Sequence, residues 1–181
     1  MNLHEHIHAT LLALPALETK RLVFKRIAPV DAAAVFKKRA EDGAGHFLGI
    51  VSQVPGGDDR VLPQKTVDAF KAETAIAWLA NLKGAETETV IGTAGFSNIN
   101  FETGRAELSG EMSKASWGKY YAIEGTLALI SFGLNKLKLA SIDAIVPPEN
   151  TSAIYLLEKL GFQEESGANA PLLLFSRKSS V

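Results

Sequence analysis

The chain has 181 residues, of which 46% are hydrophobic and 22% are charged. This balance is typical of one globular domain with a substantial core. Its 19 basic and 20 acidic residues give a formal net charge of -1, so it lacks the basic excess of a nucleic-acid-binding protein. The absence of cysteine excludes disulfides, thiolate metal sites and a cysteine nucleophile. No signal peptide or membrane span is predicted, and we expect a cytoplasmic protein that binds neither membranes nor nucleic acids.

The amino terminus carries three alternating histidines, His4, His6 and His8. Imidazoles at this spacing could bind a metal, but the apolar pattern around them favours a short packed helix. That pattern has spacings of 4, 4 and 3 and consists of Leu3, Ile7, Leu11 and Leu14. We therefore predict no metal site, and we divide the chain into an N-terminal extension (residues 1–16) and one domain (residues 17–181).

The first part of this domain shows both strand and helix patterns. Residues 21–27 alternate in the manner of a strand, and Pro29 begins a helical pattern that runs to about residue 41. Residues 43–59 are rich in loop-forming residues, and their apolar side chains either close over a site or only pack. A further helix is predicted at residues 64–73.

Strand patterns dominate the middle of the chain. Residues 74–82 fit either a strand or a helix, and we predict a strand because a turn then leads into a clearer strand at residues 89–96. A turn is predicted at residues 98–104, and the next strand at residues 105–112.

The helix predicted at residues 122–136 has the most regular pattern in the chain. Its apolar residues form one stripe: Ile123, Leu127, Ile130, Leu134 and Leu137. Gly125 and Gly133 are expected to weaken this helix by ~1 kcal/mol each relative to alanine.

A strand is predicted at residues 141–146, before two prolines. The next helix is capped by Asn150 or Thr151 and ends at Gly161, and two final strands begin near Phe162 and Leu172. Interleaved strands and helices of this kind predict a mixed sheet with helices on its faces.

Two segments resemble parts of a known family. Trp117-Gly118-Lys119-Tyr120-Tyr121-Ala122 ends a strand-like run and opens the long helix, where unpaired N–H groups and the helix dipole suit a phosphate. Asn150-Thr151-Ser152 and residues 158–162 form the second segment. With residues 17–22, 91–95 and 105–108, they resemble the GNAT acetyltransferase superfamily, and above all its Rim-type branch, which acetylates protein amino termini.

The resemblance implies an α/β (α+β) fold with a mixed central sheet of about six to seven strands and about four flanking helices. It also implies an N-acetyltransferase that moves an acetyl group from acetyl-CoA directly to a primary amine, either a protein N-terminus or a small molecule, without a metal. The cofactor-binding residues that it implies are Met112, Trp117, Gly118, Lys119, Tyr120, Tyr121, Ala122 and Asn150. Tyr120 stands where the family usually has glycine, which is tolerated if the ring points outward and otherwise weakens binding.

Two glutamates are the candidates for the base that takes the proton of the amine. Glu107 matches the family glutamate and is preferred, and Glu111 lies nearer the expected acetyl position. On one strand they share a face and lie roughly 13 Å apart. A structural or solvent-exposed role for Glu107 is an equal alternative.

The proton donor to the departing thiolate is where the chain differs from the pattern. Leu157 replaces a tyrosine common in the superfamily, and Ala153 replaces a serine common in the Rim-type branch. Either Ser152 substitutes after a small shift, or water protonates the thiolate. We expect Tyr155 to pack in the interior and Glu124 to be structural.

These departures support a second hypothesis, a degenerate acyl-CoA-binding module without catalysis, and a third, a fold without any ligand. The sequence leaves the acceptor, the acyl length and the oligomeric state open, with a homodimer as one option.

Overall fold

The computed structural model describes residues 2–12, 17–27, 71–85, 89–165, 167 and 171–179. The helix predicted at residues 29–41, the loop at 43–59, most of the helix at 64–73 and the centre of the last turn lie outside these residues. The α-helices of the described residues are α1 (Leu3–Leu12), α2 (Tyr121–Ser131) and α3 (Thr151–Lys159).

The same residues contain eight strands in one sheet. They are β1 (Leu17–Glu18), β2 (Leu22–Arg26), β3 (Ile76–Leu82), β4 (Val90–Asn100), β5 (Arg105–Met112), β6 (Ser141–Val146), β7 (Gln163–Glu164) and β8 (Leu173–Lys178). The mixed sheet is confirmed, with a strand count slightly above the six to seven predicted because β1 and β7 are pairs of only two residues.

The sheet runs in the order β1-β2-β3-β4-β5-β6-β8-β7, and all neighbours are antiparallel except β5 and β6. Those two parallel strands pair only between Arg105–Glu107 and Ser141–Asp143. Beyond that point β5 stays paired with β4, and β6 with β8. The far ends of β5 and β6 therefore separate and leave an opening in the middle of the sheet.

The main core lies between the sheet and its helices. Phe96 is fully buried, and the ring of Trp78 packs edge-on against the rings of Phe96 and Phe132. Helix α1 contributes Ile7 and Leu11 to this same core. The predicted packing of the N-terminal helix is therefore confirmed for these two residues.

Helix α2 begins near the predicted position and buries most of the predicted stripe, since four of its five residues are buried or pack against the core. It continues as a π-helical turn at Phe132–Lys136, and Leu127, predicted to lie on the buried stripe, is 46% exposed. Gly125 and Leu129 face the core as well, and a Cβ on Gly125 would lie 3.0 Å from Cζ of Phe24. The small glycine lets the helix approach the sheet closely on that side, which turns Leu127 outward.

Strand β4 is longer than predicted. The predicted turn at residues 98–104 begins only at Phe101, because a bulge between Ser97 and Asn100 keeps the strand paired with β5. Asn98, with φ of +50°, absorbs the local change of direction. This bulge places Asn98 beside the opening in the sheet.

The predicted bounds of two strands, β5 and β6, and the glycine that ends α3 are confirmed. Gly161 has φ of +80°, and a side chain of Asn150 rather than Thr151 caps the helix. None of the helices in the described part of the chain is long and apolar enough to span a bilayer.

Candidate active site

A cavity of about 600 Å³ occupies the opening between β5 and β6. Its walls come from β5 and β6, from residues of β2, β3 and β4, from one face of α2 and from the start of α3. Strands β5 and β6 contribute Glu107, Leu108, Ser109, Gly110, Glu111, Met112, Ala144, Ile145 and Val146. A cavity that passes between two strands of one sheet can receive an extended ligand whose polar groups meet strand backbone.

Glu107 and Glu111 both line this cavity, on the same face of β5. Glu107 lies opposite Ser97 in the sheet and Glu111 opposite Thr93. The side-chain amide of Asn98 donates a hydrogen bond of 2.9 Å to Glu107 Oε2. Among the described lining residues these two carboxylates are the sole charged groups, which favours a cationic or amine ligand on their side of the sheet.

A paired arginine lies next to this acidic face. Arg105 donates two hydrogen bonds to Asp143 Oδ2, from Nε at 3.0 Å and Nη2 at 2.7 Å. The hydrogen bond and the charge of Asp143 raise the pKa of Arg105. Arg105 is thus paired with Asp143, while the neighbouring Glu107 accepts its hydrogen bond from the neutral amide of Asn98.

The segment before α2 presents a run of free backbone donors. In the part of the chain that the structure describes, no acceptor is found for the N–H groups of residues 118 to 123. Tyr120 is the N-cap and provides no side-chain cap, so the first turn keeps its unpaired donors. Successive free amides at the positive end of a helix dipole form a suitable anion site.

Tyr120 takes up a left-handed backbone conformation, with φ of +64°, in which glycine is normally favoured. Its side chain is 70% exposed. The ring therefore points away from the protein and leaves the backbone of the loop accessible. Gly118, with φ of +73°, has open space where a side chain would be.

Two side chains hold this loop to its surroundings. The indole N–H of Trp117 donates to the Met112 carbonyl at 2.9 Å, which ties the loop to the end of β5. Lys119 Nζ donates to the Ala115 carbonyl at 2.9 Å, so its ammonium group folds back on the loop. Tyr121 and Ala122 line the cavity, which places the free amides at its edge.

The start of α3 closes another side of the cavity. Asn150 lines it and caps the helix, since its Oδ1 accepts from the Ala153 N–H at 3.1 Å. Ala153 and Leu157 also line the cavity, whereas Ser152 is exposed and does not. The expected interior packing of Tyr155 is wrong: this side chain is 62% exposed because it lies on the outer face of α3.

The comparisons with known proteins agree with this geometry. The family model for the acetyltransferase (GNAT) domain matches residues 21–163. The chain belongs to the GNAT acetyltransferase family.

This GNAT acetyltransferase is 33% identical over 152 residues to the uncharacterized N-acetyltransferase p20 of Bacillus licheniformis, with 84% of each chain covered. It is therefore an N-acetyltransferase, of a family that uses acetyl-CoA. The solved structures similar to it include a ribosomal-protein-S5-alanine acetyltransferase from Vibrio fischeri, with a TM-score of 0.72 and 20% identity over 92% of this chain and 97% of that one. A spermidine N-acetyltransferase from Vibrio cholerae has a TM-score of 0.70 and 17% identity, covering 88% and 94%. At these identities the structures support the fold alone.

Sequence reasoning missed the contact of Arg21 with Glu124, in a cluster beside the loop before α2 (residues 117–120). Glu124 of α2 accepts hydrogen bonds from the Thr19 hydroxyl, from the Arg21 N–H at 2.8 Å and from Arg21 Nε at 2.7 Å. Burial raises the pKa of Glu124, but these hydrogen bonds outweigh that effect and leave the pKa lowered. A structural role for Glu124 agrees with these contacts. Arg21 is the first residue of the strand predicted at residues 21–27. Only its place in the family-like stretch of residues 17–22 could have indicated a role at the site.

Proposed function

We propose that this acetyltransferase moves an acetyl group from acetyl-CoA directly to a primary amine, without a covalent enzyme intermediate. One observation carries the proposal: the cavity at the opening between β5 and β6 is lined both by two carboxylates, Glu107 and Glu111, and by Tyr121 and Ala122 of the segment with free amides. Amides suit the phosphates of the donor, and carboxylates suit the amine of the acceptor.

On the donor side, the N–H groups of residues 118 to 123 would bind the pyrophosphate, with the exposed ring of Tyr120 out of the way. The pantetheine arm would enter between the separated strands and meet the backbone near Met112. A backbone N–H of β5 would polarise the acetyl carbonyl, since donors held in place before the reaction stabilise the developing oxyanion. Asn150 would border the arm from the start of α3.

On the acceptor side, the amine must lose a proton before it can attack. A protein α-amine, with a pKa near ~8, needs less assistance than a lysine side chain near ~10.4. Glu107 would take this proton directly or through water, and Glu111 would attract the ammonium group into the cavity or serve as the base itself. The hydrogen bond from Asn98 orients the Glu107 carboxylate for this role.

Collapse of the tetrahedral adduct breaks the carbon–sulfur bond and releases CoA as a thiolate. The cavity wall nearest α3 is apolar at Ala153 and Leu157, and Ser152 lies outside it. We therefore favour water over Ser152 as the group that protonates the thiolate. A CoA thiolate is stable enough to leave without a strong acid.

The acceptor is either a protein amino terminus or a small amine. The two similar structures named above carry one of each kind in their names, a ribosomal protein alanine and spermidine. The acidic lining favours acceptors with positive charge beyond the reacting amine. Cytoplasmic location and assembly as a homodimer stay predictions.

Calorimetric titration with acetyl-CoA and with CoA, followed by an acceptor screen, tests the proposal. We expect micromolar binding of both ligands and turnover with at least one amine, read as free thiol released. Binding without turnover across α-amino peptides and polyamines would favour the non-catalytic acyl-CoA-binding module. No binding at millimolar concentration would refute the proposal.

A further inference from the structure

Arg21 joins the first long strand to the cofactor loop. Its Nη1 donates to the Lys119 carbonyl at 3.0 Å, its Nε donates to Glu124, and its guanidinium carbon lies 4.4 Å from the centre of the Tyr121 ring. One side chain therefore holds the loop before α2, the first residue of α2 and its fourth residue.

The bond to Lys119 has a consequence for the peptide that follows it. All described peptide bonds are trans, and in a planar trans peptide the C=O and the following N–H point in opposite directions. Because Arg21 holds the Lys119 carbonyl, the Tyr120 N–H points away from the guanidinium. That N–H has no acceptor in the described part of the chain.

The charge of Arg21 is already satisfied inside this cluster. Glu124 forms the ion pair with Nε at 2.7 Å, and the lowered pKa of Glu124 agrees with a carboxylate that stays ionised there. Arg21 is therefore placed to orient the loop rather than to contact a phosphate itself. A flipped 119–120 peptide would aim a carbonyl oxygen, with its partial negative charge, at the phosphate position.

We infer that Arg21 is a positioning residue that fixes the 119–120 peptide so that the Tyr120 N–H faces the pyrophosphate of CoA. This inference rests on the proposed binding of CoA at the loop. It predicts that loss of the Arg21 side chain weakens the binding of ligands with a pyrophosphate and leaves the binding of ligands without one unchanged.

Substitution of Arg21 tests this with ligands alone, so no acceptor is needed. We expect R21A to weaken CoA binding by between about tenfold and a hundredfold, the range of one lost charge-assisted hydrogen bond. Pantetheine, which lacks the pyrophosphate and adenosine, should bind within twofold of the wild type, measured by NMR titration at millimolar concentration. The control is K20A, which removes the same charge from the exposed neighbouring residue.

R21K is the second variant. It keeps the charge but lacks the planar fork that reaches Glu124 and the Lys119 carbonyl together, so we expect most of the loss to persist. Unchanged CoA affinity in R21K, or equal weakening of CoA and pantetheine in a folded R21A, would overturn the inference. If R21A does not fold, R21K decides. If the wild-type protein itself does not bind CoA, the proposed function is refuted. If the wild type binds CoA and the variants do so equally well, only the inference on Arg21 is refuted.

Discussion

The Glu107→Gln variant tests the chemistry most directly. Glutamine has the size of glutamate, and its amide oxygen can still accept the hydrogen bond that Asn98 donates at 2.9 Å. The opposite neighbour in the sheet, Ser97, is undisturbed. The substitution therefore removes the basic carboxylate with little change in packing, and any loss of rate reports on proton transfer.

The expected loss follows from the role assigned to the carboxylate. A positioned general base contributes about 10² to 10⁴ in rate, equivalent to about 3 to 5 kcal/mol of barrier. We expect this loss in kcat, with the Kd of acetyl-CoA unchanged because the free amides proposed to bind the pyrophosphate belong to residues 118 to 123 and not to Glu107. The residual rate should rise with pH up to about 8 for an α-amine acceptor, because a larger fraction of the amine is neutral at higher pH.

Thiol release at saturating acetyl-CoA, followed from pH 6 to 9, measures both effects. Glu102→Gln is the matched control, because Glu102 lies in an exposed turn close to the same strand. Glu111→Gln tests the second carboxylate and should mainly raise the KM of the acceptor. Turnover of Glu107→Gln within twofold of the wild type would refute the assignment of Glu107 as the base. If only Glu111→Gln loses kcat, Glu111 is the base instead.

Three further substitutions test the loop, the helix packing and the ion pair. Tyr120→Gly removes a left-handed non-glycine residue, so we expect unchanged or slightly higher thermal stability (a gain below about 1 kcal/mol) and CoA affinity within threefold; a large loss of affinity would mean that the ring binds the cofactor. Gly133→Ala would place a Cβ 2.8 Å from Cδ1 of Ile142, and we expect about 1 to 3 kcal/mol of destabilisation in urea; unchanged stability would contradict the close packing of the π-helical turn that follows α2. Glu124→Gln should be less stable than the wild type at neutral pH. Because the pKa of Glu124 is lowered from 4.5 in the folded protein, its stabilisation is present above that value and is lost as the pH falls below it, so melts of the two proteins should converge in acid; a constant difference would argue against the ion pair.

The sequence alone predicts most of the elements around the site. Strands β5 and β6 were placed with their observed bounds, because alternation, a turn and a pair of prolines mark their ends. The same holds for Gly161, which ends α3. The resemblance also singled out the segment before α2, whose amides are free in the described structure, since a glycine-containing segment before a long helix is a local feature of the chain.

Long-range packing decided what local patterns could not. The apolar stripe of α2 predicted that Leu127 is buried, yet Gly125 sits against Phe24 from a strand about one hundred positions earlier. Tyr155 was predicted to pack in the interior, but it lies on the outer face of α3. In both cases the face that a helix buries is set by where the sheet comes close to it.

The chain by itself therefore determined the order of strands and helices and the family. It also singled out the carboxylates of Glu107 and Glu111 as candidates. Each of these features depends on residues near one another in sequence. Only the tertiary structure decided that the ring of Tyr120 leaves the loop open and that Arg21 reaches the Lys119 carbonyl. The reason is physical: a hydrogen bond across 98 positions arises from the packing of distant segments, and no local periodicity encodes it.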